Sequence, residues 1–398
     1  MKKKVAVIGL GYVGLPLLLE ISKLKSKVIG IDISEEKITN LNRGNTEIEG
    51  INGNMLLEQI KKTNLELTTD FSVISDADTI LICVPTPLSH DKKPDLSNLK
   101  SAVISISKYI KKGTLLIIES TVGPGMTRNL IVPLLEKESG LNSADFYIVF
   151  SPERIDPANK NWNVENTPKL IAGLTPFAAE LAAKFYSNFI ETVFLCSSLE
   201  IAETAKLLEN SFRLINISFV NELSIFCHKL GIEIVEVINA AATKPYGFMP
   251  FYPSIGVGGH CIPIDPLYLA NKASQIGASA KLIELASDIN EEMPEYFVGR
   301  AEEKIGGLKG KTVLVIGVSY KPNVADVRET PVGTLIFGLK NKGAQVFWHD
   351  DLVEEWNGEK SVVLSNKYDL AIIATPHDYL DLTKLGDVPV LNTRGSIN

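Results

Sequence analysis

Cysteine is scarce and scattered. The four cysteines in 398 residues (Cys83, Cys196, Cys227 and Cys261) have neither metal-ligand spacing nor the density of a disulfide framework. No metal is expected, and thiols of this kind point to a reducing, cytoplasmic setting. Long apolar runs are also missing. Nothing approaches the ~20 consecutive residues of a membrane span, and no signal-peptide pattern follows Met1. An excess of positive charge is missing too. With 47 acidic against 40 basic residues and a net charge of −7, neither nucleic acid nor an anionic membrane is expected as the main partner. A small anionic ligand stays open, because local cations decide its binding. Low-complexity segments are absent.

What is present is an α/β pattern too long for one ordinary core, so two or three domains are expected. The run Lys4-Val5-Ala6-Val7-Ile8 reads as a buried strand. Gly9-Leu10-Gly11-Tyr12-Val13-Gly14 follows, a helix opens at Leu15, and a second strand, Val28–Ile31, closes on Asp32. Strand, GxGxxG, helix, strand and acid together form a dinucleotide-binding fingerprint. The first two glycines allow a tight turn and close approach of a pyrophosphate; the third allows helix-on-sheet packing. Asp32 would accept hydrogen bonds from the adenosine ribose and repel a 2′-phosphate, which favours NAD over NADP.

Further strands are expected at Thr79–Val84, Thr114–Ile118 and Phe146–Phe150. They end at Pro85-Thr86-Pro87, Glu119-Ser120-Thr121 and Ser151-Pro152-Glu153-Arg154. Polar residues at the carboxyl ends of parallel strands face the ligand crevice, which makes Thr86, Thr121 and Glu153 candidates. Cys83 reads as core.

Leu199–Leu230 reads as one long helix, with Ser197 and Glu200 as a capping box and Gly231 as its stop. Its apolar residues exceed a narrow stripe, so burial on more than one side is expected, as a spine between α/β domains and a dimer contact. Lys206, Asn210 and Arg213 share one face. Beyond it, Gly256-Val257-Gly258-Gly259-His260-Cys261-Ile262-Pro263-Ile264-Asp265-Pro266 holds a lone cysteine between glycines and prolines. Glycines let the backbone approach a ligand and prolines stiffen the chain. An inert buried thiol and a nucleophile are both compatible with this loop taken alone.

The α/β pattern then restarts. A strand at Thr312–Ile316 is followed by Gly317-Val318-Ser319-Tyr320-Lys321-Pro322 in place of GxGxxG. A helix over about 331–342 and strands Gln345–Trp348 and Leu370–Ala374 follow. The expected fold is therefore α/β: two Rossmann-like doubly wound domains joined by a long central helix and a helical middle domain. The divisions fall at 1–196, 197–300 and 301–398. Lys321, Arg328 and Arg394 lie on loops beside strands, where cations commonly meet phosphates.

Taken in order, the GxGxxG turn, Ser120-Thr121-Val122, Ser151–Arg154, Glu203–Asn210, Gly258–Asp265 and Lys321–Glu329 resemble the nucleotide-sugar 6-dehydrogenases over nearly the whole chain. That family includes UDP-glucose and UDP-N-acetylhexosamine dehydrogenases. The resemblance implies an N-terminal NAD domain, a central dimerising domain and a C-terminal UDP domain in a homodimer or larger assembly. It implies two successive oxidations of the sugar C6 alcohol to a carboxylate, with two NAD per sugar and a thiohemiacetal and thioester on Cys261. Lys206 would stabilise oxyanion character with Asn210 as partner, Asp265 would position water, and Glu153 would act as acid/base with Thr121. Gly9, Gly11, Tyr12, Val13, Gly14, Asp32, Pro85, Thr86, Thr121 and Arg328 would contact NAD. Glu153, Arg154, Lys206, Asn210, Arg213, Tyr252, Gly258, His260, Lys321 and Arg394 would contact the UDP-sugar. His260 and Arg154 look like the N-acetylhexosamine branch, and no second glutamate follows Glu153 as in glucose-type members. UDP-N-acetylglucosamine is placed slightly ahead of UDP-N-acetylmannosamine and UDP-N-acetylgalactosamine. UDP-glucose is a further alternative, and a two-electron β-hydroxyacid-type dehydrogenase and a non-catalytic NAD/nucleotide-sugar sensor are weaker ones.

Overall fold

The computed structural model describes residues 4–395 except 25, 47, 49, 63, 64, 157, 158 and 160. The chain divides into two compact units, Met1–Leu208 and Glu209–Asn398.

The first unit is built on an eight-stranded sheet. Its strands are β1 (Lys4–Ile8), β2 (Lys27–Ile31), β3 (Leu65–Thr68), β4 (Thr79–Ile82), β5 (Leu115–Ile118), β6 (Tyr147–Phe150), β7 (Lys169–Gly173) and β8 (Val193–Leu195). They lie in the order β3-β2-β1-β4-β5-β6-β7-β8. The central strands are continuous apolar runs because both faces are covered, by helices that include α1 (Gly14–Ser22), α2 (Glu35–Asn42), α3 (Gly53–Lys62), α4 (Ser97–Ser107), α5 (Val132–Ser139) and α6 (Pro176–Tyr186). Strand order reverses between β1 and β4, which opens a crevice at their carboxyl ends. Strands β1 to β6 are parallel, but β7 runs antiparallel to β6, with Phe150 opposite Ala172. This reversal brings the start of β7, Lys169, to the end of the sheet that carries Ser151 and Glu153.

Helix α7 (Leu199–Leu230) runs through the division between the units. At 32 residues it is ~48 Å long. Gly231, with φ of +71°, stops it as expected. The cap differs from the expected box. Ser198, directly before Leu199, accepts the Ile201 amide, while Glu200 pairs with Arg128 Nε at 2.7 Å. The burial expectation also changes: Phe212, Phe219, Phe226 and Leu230 are each more than 40% exposed in the single chain.

The second unit continues with α8 (Ile234–Ala242), α9 (Asp265–Gln275) and α10 (Lys281–Ile305). A four-stranded parallel sheet follows, ordered β10-β9-β13-β14. Its strands are β9 (Thr312–Ile316), β10 (Gln345–His349), β13 (Leu370–Ile373) and β14 (Val390–Asn392). Helix α11 (Val332–Asn341) packs against it, and β11 (Glu355–Trp356) and β12 (Glu359–Lys360) form a small hairpin. The core of this unit joins Trp348, Val315 and Ile372 to Phe297 and Val298 of α10.

Candidate active site

In the first unit the glycine turn after β1 gives each glycine a separate reason. Gly9 has φ of +88°, and a Cβ there would lie 2.8 Å from the Cys83 carbonyl oxygen. A Cβ on Gly14 would lie 1.8 Å from the Gly9 carbonyl oxygen. A Cβ on Gly11 would meet nothing within 4 Å. Folding therefore requires Gly9 and Gly14, whereas Gly11 leaves open space beside the start of α1, where backbone amides suit a pyrophosphate. Tyr12 and Val13 line the same turn, half-buried. Asp32 is buried; it accepts the Leu10 amide at 2.9 Å and the Lys37 ammonium at 2.8 Å. These residues fit NAD, and Asp32 is the one expected to meet its ribose.

Pro85 and Thr86 follow β4, and the Pro85 carbonyl accepts Asn98. Thr121 is half-buried, and its hydroxyl has no partner among the described residues. Glu153 folds back on its own loop. Its Oε1 accepts the amides of Arg154 and Ile155, and its Oε2 faces Lys169 Nζ at 3.8 Å. Its carbonyl accepts a hydrogen bond of 2.6 Å from Lys206 Nζ. Arg154 reaches the Pro168 carbonyl at 2.8 Å. Lys206 is 7% exposed.

In the second unit, Asn210 is 5% and Asp265 3% exposed, and the Asn210 amide donates to Asp265 Oδ2 at 2.6 Å. The Asp265 amide in turn donates to the Cys261 carbonyl at 2.9 Å. Cys261 itself is exposed, unlike Cys83 and Cys227. Burial pushes the Cys83 thiol far above its ordinary value, with the Glu119 carboxylate adding to it, and also raises Cys196 and Cys227. The close approach expected at Gly258 and Gly259 is made to Tyr320 of the same unit. Added Cβ atoms would stand 2.8 Å from its Cβ and 2.7 Å from its ring. His260 is exposed, and desolvation and the Arg328 cation lower its pKa, which leaves a neutral imidazole at neutral pH.

The cationic candidates differ. Arg328 forks onto Asp326, with Nε at 2.8 Å and Nη2 at 2.5 Å. Lys321 is half-buried. Arg394 is half-buried with no side-chain partner among the described residues, and burial pulls its pKa below the ordinary value. Arg213 is exposed although it shares the pitch of Lys206 and Asn210, because the chain packs over those two and not over it. Tyr252 is exposed, its hydroxyl 3.1 Å from Asn239. A cavity of about 490 Å³ in this unit is lined by His228, Arg300, Lys304 and Asn392 among others, and by none of the residues singled out from the sequence.

Comparison with known proteins identifies the chain. Models of the UDP-glucose/GDP-mannose dehydrogenase family match in chain order: the NAD binding domain over residues 3–190, the central domain over 200–292 and the UDP binding domain over 314–395. The chain belongs to the UDP-glucose/GDP-mannose dehydrogenase family. It is an NAD-dependent UDP-sugar dehydrogenase. CapL of Staphylococcus aureus is 37% identical over 100% of this chain and 97% of its own length. The UDP-N-acetyl-D-glucosamine 6-dehydrogenase of Pseudomonas aeruginosa is 38% identical, covering 94% of this chain and 87% of that protein. The solved UDP-D-ManNAc dehydrogenase of Pyrococcus horikoshii aligns with a TM-score of 0.90 at 32% identity, over 99% of this chain and 96% of that one.

For a UDP-glucose/GDP-mannose dehydrogenase family member, the structure also gives partners to residues to which the sequence reading assigned no role. In the second unit, Asp350 occupies the place that Asp32 has in the first and likewise accepts a turn amide, that of Val318, at 2.8 Å. His377 Nε2 closes on it at 3.1 Å, and both side chains are almost wholly buried. The Asp350 carboxylate is thus closed off by His377. His377 Nδ1 accepts the Asn323 amide at 2.9 Å and so anchors the loop that carries Lys321. In the first unit, Glu119, Lys169 and Tyr186 form a buried cluster behind Glu153. Among the described residues no metal-holding group of acids, histidines and cysteines occurs, and no helix is long and apolar enough to cross a membrane.

Proposed function

We propose that this dehydrogenase oxidises the C6 hydroxyl of a UDP-N-acetylhexosamine to the carboxylate in two steps, through a covalent adduct on Cys261. UDP-N-acetylglucosamine is the favoured sugar, with UDP-N-acetylmannosamine and UDP-N-acetylgalactosamine next. Support for the sugar class comes from His260 and Arg154 and from relatives named for acetamido sugars. The observation that carries the mechanism is the exposed Cys261 tied through its backbone to Asp265, whose carboxylate Asn210 holds.

NAD, when bound, accepts a hydride from C6 in each oxidation. In the first, the C6 hydroxyl also gives up its proton and becomes an aldehyde. The Cys261 thiolate then forms a C–S bond to C6, and the carbonyl oxygen takes a proton to give the thiohemiacetal. The second oxidation removes that proton and a hydride and leaves a thioester. Water adds, the C–S bond breaks, and the carboxylate and thiolate separate. Lys206 stabilises negative charge on the C6 oxygen with one of its N–H groups while another stays on the Glu153 carbonyl. Asn210 fixes Asp265 for the water step. Glu153 exchanges protons with water during hydrolysis, and Thr121 orders that water. Arg394 and Lys321 hold the UDP phosphates and Arg328 the NAD pyrophosphate.

We also propose a homodimer in which the exposed Phe212, Phe219, Phe226 and Leu230 of α7 pack on a second copy. The deciding experiment is NADH formed per sugar with each of the three UDP-acetamido sugars and with UDP-glucose. Two NADH with one acetamido sugar supports the reading and names the substrate. Two with UDP-glucose alone rejects the sugar class and keeps the mechanism. One NADH per sugar rejects the four-electron route.

A further inference from the structure

Glu119 directly follows β5 and is 1% exposed; Lys169 opens β7 and is 5% exposed; Tyr186 ends α6 and is fully buried. Lys169 Nζ donates to Glu119 Oε2 at 2.5 Å and to the Pro152 carbonyl at 3.2 Å, and it faces Glu153 Oε2 at 3.8 Å. The Tyr186 hydroxyl donates to the other oxygen of Glu119. A buried ion pair is rarely worth its desolvation as a stabiliser, since apolar residues of similar volume serve as well. Its presence here calls for another reason. The hydrogen bonds supply one. They run without a gap from Tyr186 through Glu119 and Lys169 to Pro152, and the next residue's carbonyl receives Lys206.

We propose that the Glu119–Lys169–Tyr186 cluster is the positioning device of the 151–155 loop, fixing the Glu153 carboxylate and, through the Glu153 carbonyl, the Lys206 ammonium. The proposal rests on the reading of Glu153 and Lys206 as catalytic residues. Lys169 is placed for the task by the antiparallel turn of β7, which sets its side chain among the carboxyl ends of β5 and β6. Its ammonium keeps its charge: burial works against it, but the carboxylates of Glu119 and Glu153 outweigh burial and raise its pKa. Burial, partly offset by Lys169, lifts Glu119 to about 6, with Glu153 and the Tyr186 hydroxyl as its other neighbours and the neutral Cys83 thiol close by. Protonation of Glu119 would remove the anchor of Lys169 as the pH falls through that value. An oxyanion-stabilising group acts through its exact placement, and ~1 Å of misplacement costs on the order of 100-fold in rate.

The test is the double variant Glu119→Gln/Lys169→Met, which removes both charges together and strands neither. It should melt within a few degrees of the parent and bind NAD with an unchanged Kd. With the sugar identified by the substrate panel, kcat should fall on the order of 30-fold with KM within about threefold, the signature of lost transition-state positioning. Glu119→Gln alone should abolish the fall of kcat centred near pH 6. A folded double variant with parental kcat and pH profile overturns the proposal. If that variant does not fold, Lys169→Arg carries the test. It keeps the charge and changes the reach, and it should lower kcat about tenfold at constant KM; a parental kcat overturns the proposal. Glu153→Gln, measured alongside, separates the two levels. Parental turnover in Glu153→Gln removes the reading of Glu153 itself. A slow Glu153→Gln beside a normal double variant removes the cluster proposal alone.

Discussion

At the scale of single residues, Gly11 and Gly14 make opposite predictions from one motif. Gly14→Ala drives a methyl group into the Gly9 carbonyl, so the purified variant should melt well below the parent. Gly11→Ala meets no protein atom; its melting temperature without cofactor should match the parent, while its NAD Kd rises about tenfold or more by fluorescence titration. Cys261 should be alkylated by iodoacetamide ahead of the buried Cys83 and Cys227, read by mass spectrometry of timed digests. Cys261→Ser should lose net acid production by on the order of 10³-fold or more. The glycine turn and the Cys261 loop could be singled out in the sequence because glycine pattern and cysteine context are local properties. Illegible were the approach of Lys169 to the Glu153 carboxylate and the use of Gly258 and Gly259 against Tyr320, since the partners are distant in sequence.

At the scale of elements, what matters is how ends and starts are held. Glu203 of α7 is completely buried and accepts the amides of Gly125 at 2.6 Å and Thr127 at 2.9 Å. Glu203→Leu would leave two buried donors unmatched and should cost about 2–4 kcal/mol in denaturant unfolding. Asp369 joins the starts of β9 and β13: its carboxylate accepts the Thr312 amide, then the Thr312 hydroxyl and the Lys311 ammonium, which together hold its pKa at about 2. That value lies below the unfolded-state one, so its stabilisation is present above about pH 4 and is lost as the pH falls towards 2. The stability gap between parent and Asp369→Asn should therefore be full at pH 6 and close at the acid end. His377→Ala should loosen the Lys321 loop and raise KM for the UDP-sugar several-fold with little change in kcat. The extents of β1, α7 and β9 followed from apolar runs and turn residues. The reversal of β7 did not, because strand direction is set by tertiary pairing and leaves no trace in a five-residue apolar segment.

For the whole molecule, assembly and dissection are the relevant experiments. Placing lysine at Phe219 and Phe226 of α7 should convert the proposed dimer to monomer by light scattering, with NAD affinity retained. Each α/β restart announces itself in the sequence, whereas nothing in the composition of α7 changes at Leu208, where the two compact units meet within one helix. That continuity has a practical outcome for split-protein complementation. A gene cut between the codons for Leu208 and Glu209 respects the compact units yet severs a helix between Lys206 and Asn210. The two polypeptides would each carry a frayed helical stump and should reconstitute no dehydrogenase when co-expressed. A cut after Gly231 keeps the helix whole and is the one from which complementation can be expected.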